Sequence, residues 1–181
     1  QDDDENTYVR MYAAEAIGAM EIPEAEDILL ELFESDDPNF RVYVVKGMSH
    51  YSDSRADDLV VQALRDAHYK VRLEAIGVCE ERKLAKAVPY LVYRCKDKKE
   101  EKVVKEKCYK VLAALGTAEA TDYLVSLVTD KKSTETVAAQ AAAALLANGS
   151  AGRREIITLA EETLKDDKKK NLRYALGKEF A

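Results

Sequence analysis

The side chains that most often carry chemistry are scarce in this chain of 181 residues, which holds two histidines and three cysteines. His50 and His68 belong to no spacing typical of a metal ligand set or a general base. Cys79, Cys95 and Cys108 show no CxxC spacing, and we interpret them as buried core thiols. The sequence contains no glycine-rich phosphate loop, nucleophile elbow or zinc-protease motif. We therefore expect no catalytic residue, no cofactor and no metal ion.

The pattern that does recur is a pair made of an apolar residue and, in most cases, a base. It occurs at Val9-Arg10, Phe40-Arg41, Val71-Arg72, Val104-Lys105, Val137-Ala138 and Leu172-Arg173. Subtracting neighbouring positions gives steps of 31, 31, 33, 33 and 35 residues, an interval typical of a solenoid. Because the repeat spreads these bases one to a unit, we expect each to pair with an acid near a neighbouring turn, such as Asp36, Asp37 or Asp66.

Each interval has the pattern of two amphipathic helices, which would position the bases. In the first unit, the apolar face of the first helix comprises Val9, Ala13, Ala14, Ala16, Ile17 and Met20, and that of the second comprises Ala25, Ile28, Leu29, Leu32 and Phe33. Asp37-Pro38 then has the residue types that begin a helix. The same spacing places apolar residues at the matching positions of later units, with Arg94 as an exception, and the fifth unit fits less well.

These patterns predict an all-α fold, a solenoid of stacked helix pairs, and the resemblance of the units to a known repeat family implies a right-handed α-α superhelix. It would hold about five helix pairs and a final partial unit in one domain, 1–181. The expected units are 6–37, 38–67, 68–99, 100–132, 133–167 and the partial unit 168–181. Helix should exceed roughly 70% of the chain, where an average protein has about one third, and strand should be absent.

The units resemble HEAT repeats, specifically the short bacterial type also found in phycobilisome-lyase-like proteins. The clearest are VRMYAAEAIGAMEIPEAEDILLELFESDDP and VRLEAIGVCEERKLAKAVPYLVYRCKD, and the resemblance extends from about Asn6 to Ala181. It rests on the Val-Arg pair, the Ala/Ile/Gly run, and the Pro-Glu-Ala that enters a leucine-rich helix before Asp-Asp-Pro. The signatures of tetratricopeptide and ankyrin repeats are absent. The resemblance implies that the second helices line a concave wall, and it implies a task of binding.

Charge is distributed unevenly along the chain. Residues 1–37 hold 13 acids and one base, which gives −12; since the whole chain carries −6, residues 38–181 total +6. This acidic end is either a solubilising cap or part of a gradient that orients a partner by electrostatic steering. The lysine-rich run 96–110 is interleaved with glutamates four residues away, which favours an exposed helix and argues against a nucleic-acid site.

No apolar run reaches the ~20 residues that a membrane-spanning helix needs. The three unpaired cysteines favour a reducing compartment. We expect a cytoplasmic location, with a removed export signal still open because the sequence starts at Gln1.

We interpret the chain as a non-catalytic scaffold that binds a protein or peptide on its concave face; the sequence does not specify which partner. The alternatives are an accessory domain of a larger enzyme, such as a lyase-like protein that handles bilin, and a nucleic-acid-binding domain. The expected binding residues are the solvent-facing positions of second helices, together with Arg94, which lies beside Tyr93: Asp27, Glu31, Glu34, Asp58, Gln62, Arg65, Tyr93, Arg94, Lys96, Asp122 and Ser126. Tyr93 would be either an interface anchor or an ordinary surface tyrosine.

Overall fold

The computed structural model describes residues 2–147, 149–164 and 177. Within them the chain is 78% helical, with ten α-helices and no strand. The helices are α1 (Asp2–Gly18), α2 (Pro23–Leu32), α3 (Pro38–Met48), α4 (Ser54–Ala63), α5 (Tyr69–Glu81), α6 (Val88–Lys96), α7 (Lys102–Leu115), α8 (Ala118–Thr129), α9 (Glu135–Ala147) and α10 (Gly149–Leu164). A short 3-10 helix, Ala85–Ala87, precedes α6. The predicted all-α fold is therefore confirmed, and the expected sixth unit lies outside the described residues, apart from Gly177.

The helices pack mainly on their neighbours, as in an α-solenoid of HEAT type. The chain divides into two compact units, residues 1–90 and 91–181. In the first, α1 packs on α3 and α3 on α5, while α2 and α4 pack against the helices that flank them. In the second, α7 packs on α9, and α8 and α10 pack against α9.

Local sequence accounts for where the helices begin and end. Asp37 caps α3 because its side chain accepts the Asn39 N–H at 2.8 Å, and Pro38 occupies the first turn, as predicted. Thr117 caps α8 in the same way. Gly116 ends α7 with a φ of 60°, a left-handed conformation that glycine adopts without steric cost.

The core consists of one apolar stripe from each helix. In the second helices, one repeated position is fully buried in four units, at Leu29, Val60, Leu91 and Leu124. Cys79, Cys95 and Cys108 are also buried, as predicted. Burial in apolar surroundings raises the pKa of the Cys79 thiol to about 12, which makes it unreactive at neutral pH.

Helices α1 and α3 approach each other at their glycines. A Cβ atom added at Gly47 would lie 2.6 Å from the Ala14 carbonyl oxygen and 3.2 Å from a methyl group of Leu29. An added Cβ at Gly18 would overlap the Gly47 backbone. The crossing therefore requires residues without side chains at both positions.

Two parts of the predicted core are wrong. Val9, Ala13, Ala16 and Met20 are exposed, because α1 packs through Met11, Gly18 and the correctly predicted Ala14. Ile28 is also 44% exposed, because α2 turns Ala25 and Leu29 to the core and leaves position 28 at its margin. These residues do lie at helical spacing, but spacing alone does not show that a neighbouring helix covers them.

Candidate interaction surface

Two of the repeated bases, Arg41 and Arg72, form hydrogen bonds within the fold, which gives them a structural role. The Arg41 guanidinium donates two hydrogen bonds to the Asp66 carboxylate, at 2.8 and 2.9 Å, and a third to the Ser35 carbonyl at 2.7 Å. Asp66 also accepts the His68 N–H at 2.7 Å. Burial opposes ionisation of Asp66, but these hydrogen bonds hold its pKa below the ordinary value. The expected pairing of Arg41 with an acid in the next turn is confirmed.

Arg72 shares this structural role but uses other acceptors. Its Nη1 donates to the carbonyl oxygens of Asp66 at 2.7 Å and Ala67 at 2.9 Å. Arg10 lies over the Phe40 ring, 5.2 Å from its centroid. These bases thus connect a first helix to the turn that precedes it, to the turn that precedes the next first helix, or to the next first helix itself.

In unit 1–90 the predicted binding residues are exposed, and several already have partners inside the unit. They are Asp27, Glu31, Glu34, Asp58, Gln62 and Arg65. Asp27 forms an ion pair with Arg55 of the next second helix. Asp58 pairs with Lys86 at 3.0 Å, and Arg65 lies 4.8 Å from the centroid of the Tyr90 ring. We call these six residues the first row.

In unit 91–181 the predicted residues Tyr93, Lys96, Asp122 and Ser126 are exposed and Arg94 is partly buried. We call these five residues the second row. Tyr93 is 60% exposed, and the Arg94 guanidinium carbon lies 4.7 Å from the centroid of its ring. Arg94 is itself fixed by Glu100, whose buried carboxylate accepts a hydrogen bond from it at 3.3 Å. The Tyr93 ring therefore packs against a guanidinium group whose position is fixed by a buried carboxylate.

One repeated contact was missed by the sequence reasoning. Arg65 lies over Tyr90, and Lys96 lies over Tyr123 at 5.4 Å from the ring centroid. Arg65 and Lys96 share one position of the repeat, while Tyr90 and Tyr123 share another. The separations, 25 and 27 residues, are slightly shorter than the repeat, so each base meets a ring in the next second helix. The sequence placed Arg65 and Lys96 on the surface, but it gave no indication of the ring that each base meets.

Other kinds of site find little support in the described part of the chain. Residues 2–147 and 149–164 contain no group of three or more His, Cys, Asp or Glu side chains able to hold a metal ion. His68 caps α5, where its Nδ1 accepts the Lys70 N–H at 3.3 Å. Among the described helices, none combines the length and apolarity that crossing a membrane requires.

Comparison with known proteins identifies the family. A search of curated proteins found no match. The profile of the family described as spirochaete HEAT repeat protein matches residues 1–181, the whole of the sequence. This match agrees with the helix pairs, their neighbour packing and the repeated positions described above. The chain therefore belongs to the spirochaete HEAT repeat protein family.

Proposed function

We propose that this protein is a non-catalytic scaffold that binds a protein or peptide through the solvent-facing rows of its second helices. These rows occupy the positions that HEAT repeats turn toward their concave face. The observation that carries the proposal is the exposed Tyr93 ring stacked on Arg94, at 4.7 Å. Tyrosine and arginine are enriched among the few residues that dominate binding energy at protein interfaces.

The support beneath Tyr93 favours an anchor over an ordinary surface ring. The Arg94 guanidinium is 3.3 Å from Glu100 and 3.8 Å from Asp97, so two carboxylates restrict its movement. A ring resting on such a fixed base loses little conformational freedom when a partner covers it. Binding would then lose less free energy to the ordering of side chains, which is how preorganisation raises affinity.

Charge in the two rows indicates the kind of partner surface that each unit would accept. The first row holds Asp27, Glu31 and Glu34 at its α2 end, so it fits a basic segment. The second row holds Lys96 beside Tyr93, so it fits a segment with an acidic and an apolar residue close together. Charges at the rim of an interface act mainly on the association rate, whereas a ring that the partner buries acts mainly on the dissociation rate.

The test begins with affinity capture from the native lysate and identification of the captured protein by mass spectrometry. The dissociation constant for that protein is then measured with Tyr93→Ala, Tyr93→Phe and the control Lys102→Glu. Lys102 is exposed on α7, which is the first helix of its repeat unit, and it pairs with Glu106 at 3.6 Å. We expect Tyr93→Ala to weaken binding about 30-fold, equivalent to the ~2 kcal/mol of an interface hot spot, while the other two retain most of the affinity.

A charge variant tests the first row separately. Glu31→Lys should slow association with a partner that uses this row and should leave its dissociation rate nearly unchanged. The proposal is wrong if Lys102→Glu weakens binding while Tyr93→Ala and Glu31→Lys leave both rate constants as they were.

A further inference from the structure

Helix α1 presents an apolar stripe to solvent. The stripe consists of Val9, Ala13, Ala16 and Met20, spaced by 4, 3 and 4 residues so that they share one face of the helix. Val9 is 64% and Met20 58% exposed, and both alanines are exposed as well. We call these four residues the α1 stripe.

The matching positions of α3 show what such a stripe does in this repeat. Adding 31 to each number gives Phe40, Val44, Gly47 and Tyr51, and all four are buried. They are covered because α1 packs on α3, with Ala14 and Gly18 of α1 in close approach to Gly47. In α5, Val71, Ala75 and Val78 occupy the first three of these positions, and they are buried too. The α1 stripe is therefore a helix-docking face of the repeat, with small residues at its centre.

The charge around the α1 stripe restricts which helix would fit there. Residues 1–24 carry seven acids against one base, Arg10, and α1 itself begins with four consecutive acids, Asp2 to Glu5. Glu21 and Glu24 follow the end of the stripe and are exposed. An acidic helix would be repelled here, whereas lysine or arginine beside an apolar stripe would be attracted.

We propose that the α1 stripe docks a basic amphipathic helix, one that carries small residues four positions apart within an apolar stripe and Lys or Arg on both flanks. The small residues would allow the docked helix to approach Ala16 closely, in the same way that Ala14 and Gly18 of α1 allow α1 to approach Gly47 of α3. The surface is separate from the second-helix rows, so this inference does not depend on the function proposed above.

The experiment uses two synthetic peptides of about 20 residues, long enough for five to six helical turns. Both carry the same stripe of Leu and Ala with one Ala-x3-Gly pair; one has lysines on its flanks and the other glutamates. Fluorescence anisotropy with the full chain measures their affinities. We expect the lysine peptide to bind, and to bind at least tenfold more weakly as salt rises from low to high ionic strength, while the glutamate peptide does not bind.

Variants that do not change the charge test whether the peptide binds at the α1 stripe. Val9→Gln and Ala16→Gln should each weaken binding of the lysine peptide at least tenfold. The matched controls, Val103→Gln on α7 and Ala118→Gln on α8, change residues of the same types that are also exposed, and they should leave binding unchanged. Circular dichroism should show equal helix content in all four variants, since every substituted side chain is exposed.

Four results would overturn the proposal. They are no binding of the lysine peptide, equal binding of both peptides, equal effects of the stripe and control variants, and association of the unliganded chain that Val9→Gln abolishes in sedimentation velocity. The last result would assign the stripe to a second copy of the chain. Tyr93→Ala should leave peptide binding intact, so failure of this proposal is distinguishable from failure of the second-helix rows.

Discussion

Replacing Gly47 by alanine should destabilise the protein, although the same change usually stabilises a helix. Alanine is favoured over glycine in a helix interior by about 1 kcal/mol, because glycine loses more backbone freedom on folding. At Gly47 the new Cβ would lie 2.6 Å from the Ala14 carbonyl oxygen, where ordinary contacts fall between 3.4 and 4 Å. The atom it meets belongs to backbone, so it cannot rotate away, and α1 and α3 must separate.

The size of the effect follows from these opposing terms. Forcing an extra carbon into a packed crossing costs typically about 1–3 kcal/mol, and more when backbone has to move. Separation of α1 and α3 would also loosen the contact of Leu29 with this crossing, since its methyl groups lie 3.2 and 3.3 Å from the added atom. After subtraction of the helix preference, we expect a net loss of about 2 kcal/mol of unfolding free energy.

Urea denaturation followed by circular dichroism measures this loss, and hydrogen exchange of the α1 and α3 amides localises it. The control is Ala13→Gly, at an exposed site on α1, which should lose only the intrinsic helix preference of about 1 kcal/mol. Packing and intrinsic preference therefore predict opposite signs for Gly47→Ala. A Gly47→Ala variant as stable as the parent, or more stable, would refute the described crossing of α1 and α3.

Two further predictions concern the buried polar and thiol groups. Asp66→Asn should cost about 2–4 kcal/mol, because it leaves the Arg41 guanidinium partly buried without its carboxylate. Since the folded-state pKa of Asp66 is lowered, its contribution to the unfolding free energy is present above the ordinary Asp pKa near 4 and is lost as pH falls through the folded value. Urea midpoints measured from pH 2 to 7 should therefore show that Asp66→Asn loses less stability at low pH than the parent protein does. Cys79, Cys95 and Cys108 should react slowly with a thiol reagent until denaturant is added, and fast labelling of all three in the native state would contradict the described core.

Sequence periodicity predicted the repeated core well, because each second helix must bury the same stripe. Leu29, Val60 and their equivalents follow directly from the spacing, and so does the exposure of Asp27, Glu31 and Glu34. These are properties that a helix carries wherever it packs, so one chain is enough to predict them.

Properties that depend on a neighbour were harder to predict. Val9 and Phe40 occupy the same repeat position, yet Val9 is exposed and Phe40 buried, because α1 covers only the second of them. The stacking of Lys96 on Tyr123 depends on how two second helices lie side by side, which the repeat length specifies only approximately. The support of Arg94 by Glu100 likewise required the turn after α6 to be seen.

The most direct measurement of the proposed function places a photo-crosslinking amino acid at position 93 or at position 102 and irradiates the protein in its native lysate. Both positions are exposed, so a photoreactive side chain at either one can reach a bound protein, but only Tyr93 belongs to a second-helix row. We expect position 93 to yield a discrete adduct with one protein and position 102 to yield none. An adduct of that kind from position 102, with none from position 93, would contradict binding through the second helices.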